Sequence, residues 1–231
     1  MTDDERISKK VTDTLVKHES DLADKTSIVS DFTTVLDSIG ESGLPVSGRI
    51  NQFKARDLIK MNSQLKMPLK VNIARPTYHS YPNIFGLYGL LKHSGCGSFK
   101  MKDGKNHIIL DQDRTLLWKN RTETEKYLSL FMTWIKGSTG KTEKCLSSKP
   151  VSELWVTLFM NIGEGEYKIK RDSTRENAML RNPGMDILSL MGMFGLLDIH
   201  QDEPELVETW IPVSIAKTQL GEELMAAVCR D

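Results

Sequence analysis

The sequence predicts a mainly helical α+β chain: tandem winged-helix-like units carrying small β-hairpins, preceded by an N-terminal helical segment. Three observations lead there. Apolar residues recur at helical spacing through most of the chain, Asp103-Gly104 punctuates an alternating stretch that follows two such helices, and a similar helix-then-alternation order returns near the C-terminus. Boundaries follow from the breakers: 1–40 for the helical segment, 41–136 for the first unit, 137–150 for a linker or long loop, and 151–231 for the second unit.

Each element has its own signal. Ile7, Val11, Leu15 and Leu22 recur among charges, which makes residues 1–25 a polar amphipathic stretch, and Ile28, Phe32, Val35, Leu36 and Ile39 mark a helix that stops at Gly40. This segment reads as an arm or dimerising helix, or as a cover for the core. Gly43, Pro45, Ser47 and Gly48 break the chain, and a helix is expected from about Arg49, with Ile50, Phe53, Leu58, Met61 and Leu65 on its apolar side and Arg49, Arg56 and Lys60 in a strip beside it. Pro82 suits a helix's first turn, and Ile84, Leu87, Tyr88, Leu90 and Leu91 carry that helix to Gly95.

From Gly97 the period becomes two. Phe99 and Met101, the Asp103-Gly104 turn, then His107 and Ile109 predict a hairpin, the wing of the first unit, carrying Lys100, Lys102 and Lys105. Thr122 with Glu125 three residues later is a capping box, followed by the apolar face of Tyr127, Leu128, Phe131, Trp134 and Ile135, and Gly137 ends that helix. In the second unit, Leu154, Trp155, Leu158, Phe159 and Ile162 form the opening run, and Pro183 begins a helix through Ile187, Leu188 and Met191 towards Gly195. Residues 196–199 and 209–215 form the second hairpin, and Thr218 opens a closing helix with Leu220, Leu224 and Val228.

The formal charge is zero over 231 residues, yet it is unevenly spread: residues 41–151 hold 19 basic and 8 acidic groups, while residues 183–231 hold 2 and 9. That distribution points to an anionic partner, or to segments that attract one another within the chain or across a dimer. The candidate phosphate-contacting residues are Arg49, Arg56 and Lys60 on one helix, Lys66, Lys70 and Arg75 in the connection after it, and Lys100, Lys102 and Lys105 on the wing. Double-stranded DNA is the partner this set implies. The rival is a protein-interaction module whose partner is a second copy or another protein.

Other chemistries find less support. Gly137-Ser138-Thr139-Gly140-Lys141-Thr142 has the last half of a phosphate-binding loop, but the full pattern needs glycine where Ile135 stands and a strand before the loop. His93 and Cys96, with His79 and His107 in the same unit, lack the paired cysteines of a zinc site. No Gly-x-Ser-x-Gly elbow is present, and Met185, Met191 and Met193 read as pliable core. The expectation is therefore a non-enzymatic chain with no cofactor and no metal. Cys96, Cys145 and Cys229 read as three free thiols. Without an apolar run of about 18 residues, and with Asp3, Asp4, Glu5, Lys9 and Lys10 interrupting the N-terminus, the chain is expected in the cytoplasm and not in a membrane.

Two passages carry a resemblance. Arg75-Pro76-Thr77-Tyr78-His79-Ser80-Tyr81-Pro82, running on through Leu87, Leu90, Leu91, Ser94 and Gly95, and Thr122-Glu123-Thr124-Glu125-Lys126-Tyr127 through Trp134, resemble a region of the plasmid ORF-3-like passenger proteins of bacterial insertion elements. The resemblance spans about residues 44–136, and the family's separate ORF-3-like domain has no counterpart in this chain. It implies a bacterial or archaeal origin and a mobile-element or host-defence context, and it supplies no active site. Thr218-Gln219-Leu220-Gly221-Glu222-Glu223-Leu224 after the second hairpin is similar to the end of many winged-helix regulators.

Overall fold

A computed structural model describes residues 2–47, 51–137, 157–159, 161–169, 184–203, 210 and 212–228. The chain begins with α1 (Asp3–Lys17), α2 (Glu19–Lys25) and α3 (Ile28–Ile39), followed by the two-residue strand β1 (Leu44–Pro45) and α4 (Ala55–Gln64). After a long connection, a 3-10 turn at residues 78–80 leads into α5 (Pro82–His93), the hairpin β2 (Gly97–Lys102) and β3 (Lys105–Leu110), and two helices, α6 (Gln112–Lys119) and α7 (Glu123–Gly137). The second half shows β4 (Glu166–Lys168), α8 (Met185–Met193), β5 (Leu197–Gln201), β6 (Pro212–Lys217) and α9 (Gln219–Val228). The fold is mixed α+β with two antiparallel three-stranded sheets, ordered β1-β3-β2 and β4-β6-β5.

Local chemistry accounts for these boundaries. Asp103 and Gly104 both take positive φ (50° and 67°), as a tight two-residue hairpin turn requires, and this sets Lys102 opposite Lys105 and Phe99 opposite Ile108. The box at Thr122 forms as read: its N–H donates to Glu125 Oε2 (2.8 Å) while Thr122 Oγ1 accepts the Glu125 N–H (3.3 Å). A second box, Thr2 with Glu5, opens α1 in the same way. Helices α5 and α8 end alike, with Gly95 (φ 70°) and Gly195 (φ 69°) in the left-handed conformation one hundred positions apart.

One expectation is corrected, and one helix lacks any sequence signal. The helix expected from about Arg49 begins at Ala55, because Ser47 pairs with Gln52 in an isolated bridge and Asn51 adopts φ 50°, a turn that occupies the would-be first turn of the helix. Its apolar side is as read, with Phe53, Leu58, Met61 and Leu65 buried, but Arg49 lies outside the described residues. Helix α6 was not anticipated. Leu116 and Leu117 are exposed and only Trp118 is buried, so no apolar stripe marks it, and its start rests on Asp111 accepting the Arg114 N–H at 2.9 Å.

The core runs through both halves. Helices α5 and α8 pack directly on one another, and Gly86 permits it: a Cβ there would stand 2.6 Å from Leu190 Cγ. Tyr127, Phe131 and Trp134 of α7 surround Phe194 with ring centroids 5.4, 5.6 and 5.1 Å away. The carbonyls that end α8 are capped from distant segments. Ser27 N–H reaches Met193 O (3.0 Å), the Tyr127 hydroxyl reaches Phe194 O (2.7 Å), and Thr218 Oγ1 reaches Gly195 O (2.6 Å). Helix α1 is no projecting arm: Val11 and Leu15 are buried, and it packs on α9 and α7. Of residues 137–150, expected as a linker, Gly137 ends α7 and 138–150 lie outside the described residues, as do Trp155 and Pro183.

Candidate nucleic-acid interface

The hairpin offers the simplest geometry. Side chains alternate along a strand and directly opposed residues share a face, so Phe99 and Ile108 turn inward while Lys100, Lys102, Lys105 and His107 share the outer face. Phe99 lies against Tyr88 of α5, with centroids 6.2 Å apart, which anchors the inner face. The three lysines are exposed, and among the described residues no ion pair holds any of them. Three like charges within one hairpin raise the local potential and attract anions.

Arg56 and Lys60 form a second group. They stand one turn apart on α4, both exposed; Arg56 Nε lies 3.7 Å from Asp57 Oδ1, a loose contact on a side chain that is 92% exposed. Helix α4 packs on α3 and α5 through Leu58 and Met61, which leaves Arg56 and Lys60 facing solvent. Arg75 is exposed in the connection before α5.

Lys66 and Lys70 behave otherwise. Lys66 donates from its ammonium group to the carbonyls of Ala23, Asp24 and Thr26, the open end of α2, and its backbone N–H donates to Asp31 Oδ1 at 2.6 Å. Lys70 Nζ lies 2.5 Å from Glu203 Oε1, and its backbone N–H donates to Gln201 Oε1 at 3.2 Å. Gln201 in turn donates to the Pro68 carbonyl (3.4 Å), and Asn62 clasps Leu69 by both amide atoms (2.9 and 3.0 Å). Residues 65–70 are therefore a strap that ties α2, α3 and α4 to the far end of β5 in the second hairpin. The cations expected to face phosphate at positions 66 and 70 instead meet oxygens of the chain itself, Lys70 in a pair that stays open to solvent.

Asp31, Gln201 and Glu203, which hold the strap, were not singled out from the sequence. Each acts across 35 to 133 residues of chain, a separation at which local patterning carries no signal. Asp31 is fully buried, and burial raises its pKa above the ordinary carboxylate value, opposed by the Lys66 N–H and the Ser27 hydroxyl. Burial likewise raises Asp186 at the start of α8.

The helix preceding the first hairpin is closed to any ligand over most of its surface. Ile84, Leu87, Tyr88, Leu90 and Leu91 of α5 are buried, on one side against α8. Histidines of the first unit do not converge: His93 bonds the Gly89 carbonyl (2.8 Å), His107 the Lys105 carbonyl (3.1 Å), and His79 stands against the Phe85 ring. Among the described residues no three His, Cys, Asp or Glu side chains are grouped to hold a metal. Cys96 is a buried free thiol, and the glycine-rich run beyond Gly137, together with Cys145 and Cys229, lies outside the described residues. A shallow cleft of about 520 Å³ between α1 and α7 is lined by Glu5, Ser8, Lys9, Thr12, Asp13 and Lys136, charges of both signs that favour no particular ligand. No described helix is long and apolar enough to cross a membrane. Compared with known proteins, the chain matches no family model, no curated protein and no solved structure.

Proposed function

We propose that the chain is a non-enzymatic, DNA-associated accessory protein built from two winged-helix-like units, and that it contacts phosphates through the outer face of its first hairpin without reading bases. The order α3, β1, α4, α5, β2, β3 with a β1-β3-β2 sheet supports the winged-helix assignment of the first unit, and the β4-β6-β5 sheet, with α8 lying between β4 and β5 in the chain, supports it for the second. The resemblance over residues 44–136 supports a mobile-element or host-defence setting. The observation that carries the reading is the outward row of Lys100, Lys102 and Lys105, unpaired among the described residues.

Base readout is left out for a physical reason. In helix-turn-helix relatives of this layout the helix before the wing enters the major groove, whereas here α5 is buried against α8. Binding is then electrostatic, sequence-independent and salt-sensitive. Three phosphate contacts give a log–log salt slope of about −2.7, or about −4.5 where Arg56 and Lys60 join. Fluorescence anisotropy on two duplexes of unrelated sequence tests this at low and physiological salt. Equal affinities that fall about 40-fold between 50 and 200 mM salt, and a loss on Lys100, Lys102 and Lys105→Ala, fit the proposal. An absence of binding at micromolar protein in low salt removes it.

A protein-assembly role is the second reading. Its specific support is the sealed α5–α8 contact together with Leu116, Leu117 and Met101, which are 59%, 60% and 74% exposed. Light scattering separates the two, since a salt-resistant oligomer without DNA affinity favours assembly.

A further inference from the structure

We infer that Glu203 is an internal competitor for the polyanion, a carboxylate that occupies Lys70 and so keeps one cation of the first unit out of the phosphate-binding set. The inference rests on the DNA-binding reading above and concerns its regulation. Lys70 Nζ and Glu203 Oε1 are 2.5 Å apart, yet the two side chains are 44% and 78% exposed, so the pair is open to solvent and to a competing anion. Lys66 differs on this point. Its ammonium group satisfies three backbone carbonyls at the end of α2, and leaving them for a phosphate would strip the part-buried Thr26 carbonyl of that donor.

The surroundings of Glu203 fit the role. It lies in the acidic segment of the chain, next to exposed Asp202 and just beyond β5, and the strap is registered on β5 by Gln201 bonding both Lys70 N–H and Pro68 O. Those two amide bonds hold residues 68–70 in place whether or not the ion pair is made. Opening the pair therefore frees a charge without unfastening the strap, because an exposed ion pair is weak and readily screened while the neighbouring amide bonds are uncharged.

The test is a double-mutant cycle on DNA binding, with the full chain and a labelled duplex. Glu203→Gln, which keeps size and hydrogen-bonding capacity, is expected to bind several-fold more tightly at low salt and to steepen the log–log salt slope by about 0.9, one added phosphate contact. Lys70→Ala alone is expected to leave the slope of the parent unchanged, and Lys70→Ala combined with Glu203→Gln is expected to restore the parental slope. Urea midpoints of all variants establish that each is folded. Binding by the parent with an identical slope for Glu203→Gln overturns the internal competition and leaves the DNA reading standing. No binding by either overturns both, and a steeper slope that survives Lys70→Ala overturns the assignment of Lys70 as the released cation.

Discussion

Lys66 and Lys70 on the strap and Lys100, Lys102 and Lys105 on the hairpin belong to the same basic region of the chain, yet their ammonium groups meet opposite surroundings. On the strap they find the carbonyls of α2 and the carboxylate of Glu203. On the hairpin they stand in a row over solvent, held there by Phe99 and Ile108 on the other face. The difference teaches that a basic count is a poor guide to an interface: what matters is whether the fold has already supplied the anion. Regular alternation answers that question for the hairpin, since it fixes which side chains face outward. Nothing local answers it for the strap.

The comparison can be broken most severely at the junction that puts the strap and the second hairpin within reach of each other. Phe194→Ala removes the ring at the centre of Tyr127, Phe131 and Trp134 and is expected to destabilise the chain by about 3–5 kcal/mol, read as a lower urea midpoint. A loss under about 1 kcal/mol would mean that the two halves do not depend on that contact. Asp31→Ala comes next. It leaves the Lys66 N–H without its acceptor in a part-buried contact, an expected loss of about 1 kcal/mol, whereas Asp31→Asn keeps an acceptor oxygen and should lose less.

The same residue sharpens the comparison through pH. Burial raises the pKa of Asp31 in the folded chain above its unfolded value, so between those two values the folded state binds more protons and stability rises as pH falls. Stability from this group is fully present below the unfolded carboxylate value of about 3.9 and is lost as pH rises through the folded one. Asp186 acts in the same direction. Urea midpoints across that window should show a smaller acid-side gain in Asp31→Asn than in the parent; identical profiles would show that Asp31 is not the titrating group.

Smaller effects are expected from the lysines themselves. Lys70→Ala breaks only a partly exposed pair and should change stability by at most about 1 kcal/mol. Replacing Lys100, Lys102 and Lys105 together with Ala should leave the urea midpoint within about 0.5 kcal/mol of the parent, because outward side chains without partners contribute little to the folded state. A large stability loss in that triple variant would show that the outer face is already covered within the molecule.

Much of the element list was legible from residue order. Capping at Thr122, the Asp103-Gly104 turn, the stops at Gly95 and Gly195 and the apolar faces of α3, α5 and α7 all depend on residues within a few positions of one another. The misses were local conflicts or silences: the bridge between Ser47 and Gln52 displaced the start of α4, and α6 has too few buried residues to show a period. Of the candidate interface, the hairpin row was legible and the fate of the strap was not.

By itself the sequence determined what short-range sterics and hydrogen bonding decide: where helices start and stop, where the chain turns back, and which side of the first hairpin faces outward. Tertiary structure alone decided that α5 would be buried on α8, that Lys66 would close α2, and that Lys70 would meet Glu203. Those contacts join segments distant along the chain, and their partners are chosen by how the two halves pack together. No pattern of neighbours encodes that choice.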